Sequence, residues 1–216
     1  MPRILVVSIQ TGQAQQYAAA PGLEVLTACG KQPVFEPVMV TPAGVSGDMQ
    51  VEHPGHGGPD RAVLVYARHH YLEWERELGH AWPPGSFGEN LTVEGQDEGE
   101  ACVGDIYTLG GCRLEASYPR QPCSKLARYL QQLDIEQRIR ANFRSGWFLR
   151  VLEAGKIEAG QELRLEARPQ PEWTMRRVSQ VMYHEPENRE AARELAGLNA
   201  LAWAWRKKFV ARAAAE

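Results

Sequence analysis

The residues best placed to do chemistry lie in Pro119-Arg120-Gln121-Pro122-Cys123-Ser124-Lys125-Leu126. Two prolines restrict the backbone, and Arg120 and Lys125 bring two cations to one thiol, which favours the thiolate below the free-cysteine pKa of about 8.5. A helix beginning just after Cys123 pushes the same way. Such a thiolate can attack an electrophile or bind a soft or intermediate metal, and spacing alone does not choose between these uses. The plain alternative is a small buried cysteine beside two solvated cations. The other cysteines, Cys29, Cys102 and Cys112, are widely spread and form no Cys-x-x-Cys pair. That argues against a zinc knuckle or a thioredoxin-type redox pair.

A second cluster is His53-Pro54-Gly55-His56-Gly57-Gly58-Pro59-Asp60-Arg61. Its glycines allow close backbone approach to a ligand, and Arg61 with either histidine suits an anionic group. It matches neither Gly-x-Gly-x-x-Gly nor the Walker pattern, and read alone it is a solvated turn. Histidines three apart in a Gly-Pro loop do not assure a shared metal, so zinc is not assigned. A third segment, Phe87-Gly88-Glu89-Asn90-Leu91, reads by itself as turn chemistry ahead of a strand. The basic run Arg206-Lys207-Lys208 lies on the polar face of an amphipathic helix and reads as a solvated face.

These segments need a scaffold, and the first two-thirds of the chain supplies short alternating apolar runs broken by Gly and Pro, as antiparallel strands require. Strands are expected at Ile4–Ile9, Val34–Val40, Ala62–Tyr66, Leu91–Val93, Asp105–Leu109, Arg113–Tyr118, Trp147–Leu152 and Glu162–Ala167. A helix over Arg68–Leu78 ends at Gly79, and a second helical stretch follows Cys123 with a break near Asp134. Cys123 therefore sits at a strand-to-helix junction, where a loop on a rigid base can present a side chain in fixed geometry. Arg168-Pro169-Gln170-Pro171 reads as a stiff linker. Beyond it, helices are expected at Met175–His184, Glu187–Leu195 and Leu198–Arg212, with Thr174 and Asn199 as N-caps or near-caps. The expected organisation is a β domain over residues 1–168 and a three-helix domain over 172–216.

Bulk properties exclude several classes. With 216 residues and a formal net charge of −3, no global field marks a nucleic-acid or membrane-surface protein. The apolar runs fall short of the roughly 20 residues needed to span a bilayer, and the N-terminus lacks a secretory pattern. A cytoplasmic protein acting on a small molecule is expected, with no nucleic-acid or membrane partner; the sequence leaves the oligomeric state open.

Taken in order, Gly44-Val45-Ser46-Gly47-Asp48, His56-Gly57-Gly58-Pro59-Asp60-Arg61-Ala62-Val63, then Tyr66, His70, Tyr71 and Trp74, Phe87-Gly88-Glu89-Asn90-Leu91, Gly104-Asp105, the Cys123 segment and Gly146-Trp147 form one pattern. It resembles the YiiM-like branch of the MOSC (molybdenum cofactor sulfurase C-terminal) domain family, from about Lys31 to Ala167, and the tail resembles that branch's three-helix domain. The resemblance implies a mainly β fold: a MOSC-type β-barrel with interspersed helices, followed by a small C-terminal helical bundle. It also implies a molybdenum cofactor (molybdopterin) in a cleft, with Cys123 as metal ligand and catalytic residue. The implied chemistry is two-electron reduction of N-hydroxylated compounds such as hydroxylaminopurine-type bases, serving their detoxification. Cofactor-binding residues implied in this way are Lys31, His56, Gly57, Gly58, Arg61, Asn90, Arg120 and Lys125, the cations as partners of phosphate or pterin. No flavin, haem or iron-sulfur motif is visible in the sequence, so a separate electron-donor protein is expected. Thr27-Ala28-Cys29-Gly30-Lys31 departs from the family's small-apolar-lysine pattern. It offers Cys29 as a second reactive thiol, beside its plainer reading as a core or loop cysteine.

Two other functions fit the same residues. One is a sulfur carrier, or sulfurtransferase, with a persulfide on Cys123, which needs the same accessible low-pKa thiol. The other is a non-enzymatic module that binds an anionic cofactor without turnover.

Overall fold

The computed structural model describes residues 3–20, 23–49 and 58–214. Its frame is an eight-stranded sheet. In spatial order the strands are β13 (Arg164–Ala167), β9 (Ile106–Leu109), β10 (Cys112–Pro119), β11 (Trp147–Glu153), β7 (Val63–Ala67), β8 (Leu91–Glu94), β1 (Leu5–Thr11) and β4 (Gln32–Val34). The sheet curls until its ends nearly meet: Val6 N donates to Gln161 O at 3.0 Å and Leu163 N to Ile4 O at 2.9 Å, joining β1 to the segment that leads into β13. The fold is a strand-rich, barrel-like sheet with helices set into its connections and a helical bundle at its C-terminal end.

Within this sheet β7 and β8 pair in parallel. A parallel pair needs a crossover, and α1 (His69–Leu78) provides it. Because α1 covers the outer face of β7 with Tyr71 and Trp74, every residue of β7 is buried. A strand covered on both faces loses its alternation. Two smaller sheets flank the barrel. One is the hairpin of β2 (Gln15–Ala20) and β3 (Leu23–Thr27); the other combines β5 (Val38–Thr41), β6 (Gly44–Val45) and β12 (Gly155–Ile157). The expected strand Val34–Val40 is thus two strands, interrupted at Phe35–Pro37, since a proline cannot donate to a ladder.

Helices α2 (Ser124–Leu130) and α3 (Ile135–Asn142) follow Cys123. Their Leu126, Ala127, Leu130, Ile135 and Ile139 pack with Tyr66, Tyr71, Trp74 and Phe87 in a second apolar cluster outside the barrel. Tyr66 and Phe87 stack there at 4.7 Å.

The tail forms α4 (Met175–His184), α5 (Arg189–Gly197) and α6 (Trp203–Ala214). Thr174 caps α4 by accepting from Arg177 N at 3.1 Å. Asn188 caps α5 through Ala191 N at 3.1 Å. Helix α6 starts later than the apolar spacing suggests, because Ala202 N is spent on Ser117 O of β10 at 3.1 Å. Asn199 consequently does not cap it; its Oδ1 accepts from Arg206 Nη1 at 3.2 Å. Val178, Val181, Leu195, Trp205 and Phe209 belong to the same buried core as the barrel's Leu114, Tyr118 and Trp147. The linker is pinned as well: Arg168 makes a bidentate pair with buried Asp105, both contacts at 2.8 Å. Among the described residues, no helix is long and apolar enough to cross a membrane.

Candidate functional site

Strand β10 delivers the thiol. At its end Arg120 N donates to Gly146 O at 2.9 Å, which fixes the exit of the strand against β11. Gln121 and Pro122 then carry the chain to Cys123, whose extended backbone (φ −139°, ψ 154°) caps α2. The carbonyl of Cys123 accepts from Leu126 N at 3.1 Å. With its backbone bonded into α2 and the helix seated on the second apolar cluster, the half-buried Cys123 has a defined position.

Cys123 lines a cleft together with Cys29, Lys31, Arg61, Asn90, Arg120 and Lys125. Leu64 and Phe148 add apolar wall. The structure thus gathers into one place cations that lie as far apart in sequence as Lys31 and Lys125. Gly58 sits in the turn beside Arg61, with φ 101°, and lines a neighbouring recess. His56 and Gly57, with His53, lie outside the described residues.

The cations differ in what holds them. Lys31 Nζ lies 2.6 Å from Asp48 Oδ2, and the same oxygen accepts from Asn90 Nδ2 at 2.9 Å. Asn90 also accepts from Leu64 N through Oδ1 at 3.1 Å, so its amide knits the cleft wall. Arg61 ends a 3-10 turn, Pro59–Arg61, whose Asp60 is clamped by Arg150 at 2.8 Å. Its Nε donates to Tyr118 Oη, and its guanidinium lies 5.6 Å from the Tyr118 ring centre. Burial raises the Tyr118 pKa, with the Arg61 charge pulling the other way, so the phenol stays neutral.

Arg120 is the informative one. It is only 8 % exposed, and its buried Nη1 has no hydrogen-bond partner among the described residues. A buried guanidinium nitrogen left unpaired is costly, and a donor of this kind on a residue that lines a cleft is suited to an anion or a ring nitrogen. Gly88 lies across from it: a β-carbon there would be in ordinary contact with Cys29 Sγ at 3.4 Å and Arg120 Nη2 at 4.0 Å, so it is the φ of +78° that favours glycine.

Sequence reasoning passed over Asp48 as a site residue. The signal was present in Gly47-Asp48, but its pairing with a lysine 17 positions away is a tertiary fact. Cys29 is also in the cleft rather than in the core. Burial raises its thiol pKa, opposed by the charges of Arg120 and Lys31 and by the Thr27 hydroxyl. Elsewhere His69, His70 and Glu73 bring potential ligand atoms within 4.8 Å of one another. There His70 is already bound to Glu98 at 2.7 Å and Glu73 to Arg144 at 2.7 Å, so this cluster is charge pairing within the fold.

A family model described as "MOSC domain" matches residues 52–164, and one described as "YiiM-like, 3-alpha helix domain" matches residues 173–214. The chain belongs to the MOSC domain family. Among MOSC relatives, the Bacillus subtilis protein named "Uncharacterized protein YflK" is 33% identical over 208 residues, 96% of this chain and 94% of that one. A Gibberella moniliformis protein named "Reductase" is 36% identical over 187 residues, 82% of this chain but 32% of its own length. The crystal structure of YiiM from Geobacillus stearothermophilus superposes with a TM-score of 0.84 at 34% identity, covering 98% of this chain and all of that one. The cleft described above therefore lies in a MOSC fold, with the motif cysteine at its wall.

Proposed function

We propose that this MOSC protein is an oxidoreductase that binds a molybdenum cofactor through Cys123 and reduces N-hydroxylated compounds, hydroxylaminopurine-type bases among them. The observation that carries the reading is the buried Nη1 of Arg120, without a partner among the described residues, on a residue that lines the same cleft as Cys123. A soft anionic ligand atom and a cationic donor in one cleft are what a metal held on an anionic pterin requires. When bound, the cofactor supplies an oxygen-accepting two-electron centre.

The chain's own residues do the rest. Cys123 would hold the metal as thiolate; Arg120, Arg61 and Lys125 would hold phosphate and pterin oxygens; Lys31, already neutralised by Asp48, would support the wall. Phe148 and Leu64 give a planar base an apolar surface and keep water from it. Reduction of R–NHOH consumes two electrons and two protons and yields R–NH2 and water. The electrons come from a separate donor protein.

Purification from a host competent in molybdopterin synthesis, followed by metal and pterin analysis, tests the proposal. One molybdenum and one pterin per chain are expected, with turnover of hydroxylaminopurine by an artificial low-potential donor. A protein that emerges without molybdenum from a replete host, or that carries extra sulfur on Cys123 instead, would overturn it.

A further inference from the structure

Two of the four cysteines, Cys29 and Cys123, share the cleft and are half-buried, whereas Cys102 and Cys112 are buried elsewhere. The segments that carry the cleft pair are packed together. Gly30, next to Cys29, is so close to Tyr129 of α2 that a β-carbon on it would fall 2.1 Å from the tyrosine hydroxyl. Helix α2 in turn begins one residue after Cys123. The turn that carries Cys29 is closely packed on both sides. Gly30 has φ +74°, and opposite Cys29 the wall is the side-chain-free Gly88. Burial raises the Cys29 thiol pKa and a charge on Cys123 would add to it, whereas Arg120 and Lys31 act in the opposite sense.

We propose that Cys29 and Cys123 are a dithiol pair that closes to a disulfide when the cleft holds no cofactor, so that insertion of the cofactor requires the reduced pair. A disulfide needs α-carbons within about 7 Å of each other, a separation that formation of the link itself reports. The oxidant is a hydroperoxide. The Cys123 thiolate attacks the distal oxygen, the O–O bond breaks, and Cys123 sulfenic acid forms as the alkoxide or hydroxide leaves and takes a proton. The Cys29 sulfur then attacks the sulfenic sulfur. The S–S bond forms, the S–O bond breaks, and the hydroxyl departs as water with the Cys29 proton. Two sulfurs are each oxidised by one electron, and the peroxide is reduced by two. Closure spares Cys123 from irreversible sulfinic acid.

The pairing itself is independent of which cofactor the cleft takes; only its protection by cofactor rests on the proposed function. The test uses the whole chain from a host unable to make molybdopterin, treated with an equimolar amount of hydrogen peroxide, alkylated and digested with trypsin. Expected are loss of two hydrogen masses and a peptide 4–31 linked to peptide 121–125, both reversed by dithiothreitol. Cys29→Ser should form no link and accumulate sulfinic acid at Cys123, whereas Cys102→Ser and Cys112→Ser should link like the wild type. Independent alkylation of Cys29 and Cys123 after peroxide, or equal sulfinic acid formation in the wild type and Cys29→Ser, overturns the pair. Molybdenum-loaded protein should resist linkage. If it links as fast as the cofactor-free protein, the metal-ligand role of Cys123 fails while the dithiol pair stands.

Discussion

Lys31 and Asp48 form a buried ion pair, with Nζ 2.6 Å from Oδ2 and the two side chains 7 % and 3 % exposed. Removing one partner of such a pair leaves an uncompensated buried charge, at a cost of about 3–5 kcal/mol. Asp48→Asn and Lys31→Met should therefore each lower the denaturation midpoint sharply, and the double variant should recover part of the loss. Urea titrations of the three proteins decide the matter; equal, small effects would mean that water reaches the pair.

Arg120 should behave in the opposite way. Its buried Nη1 has no partner to lose among the described residues, so Arg120→Met should leave the cofactor-free protein at least as stable as the wild type. Cofactor content should fall several-fold in this variant, and also in Arg61→Ala. Melting temperature and molybdenum per chain are the paired readouts, and a fall in melting temperature with unchanged molybdenum would assign Arg120 to the fold.

Cys123→Ser should abolish turnover of hydroxylaminopurine while leaving the circular dichroism spectrum unaltered, because a serine hydroxyl is a hard, protonated oxygen that cannot reproduce a thiolate bond. Cys102→Ser and Cys112→Ser, remote from the cleft, should retain most activity. Wild-type turnover by a molybdenum-loaded Cys123→Ser protein would end the ligand assignment.

The His70–Glu98 pair predicts a pH dependence. Burial lowers the His70 pKa, but the charge and hydrogen bond of Glu98, with help from Asp97 and Glu73, outweigh it, and the net shift is upward. A histidine raised on folding stabilises fully below its unfolded pKa of about 6.5 and loses that contribution as pH rises through the folded value. Melting temperature should decline over that interval in the wild type and stay flatter in His70→Gln. Parallel curves would show that the imidazole does not titrate there.

Much of this was legible in the sequence where local periodicity and burial agree. Helix α4 and its Thr174 cap fall where the apolar spacing puts them, as does the strand-to-helix junction at Cys123. The β2–β3 hairpin was not visible, because Gln15–Ala20 carries no alternation and its pairing with Leu23–Thr27 is what makes it a strand. The cleft's membership was legible as a set of cations but not their division of labour. Only folding brings Asp48 onto Lys31 and leaves Arg120 Nη1 without a partner among the described residues.

The helices of the tail have a consequence for anyone wishing to shorten this protein. Strand β10 alternates buried and half-buried residues as far as Ala116 and is buried on both faces from Ser117 to Pro119, where Ala202 reaches over and Trp205 meets Tyr118 with ring centres 6.0 Å apart. A chain truncated after the linker would lay bare an aromatic floor directly beneath the segment that presents Cys123. It would be expected to self-associate through that scar and to hold its thiol loosely, so the two parts are not interchangeable modules for grafting.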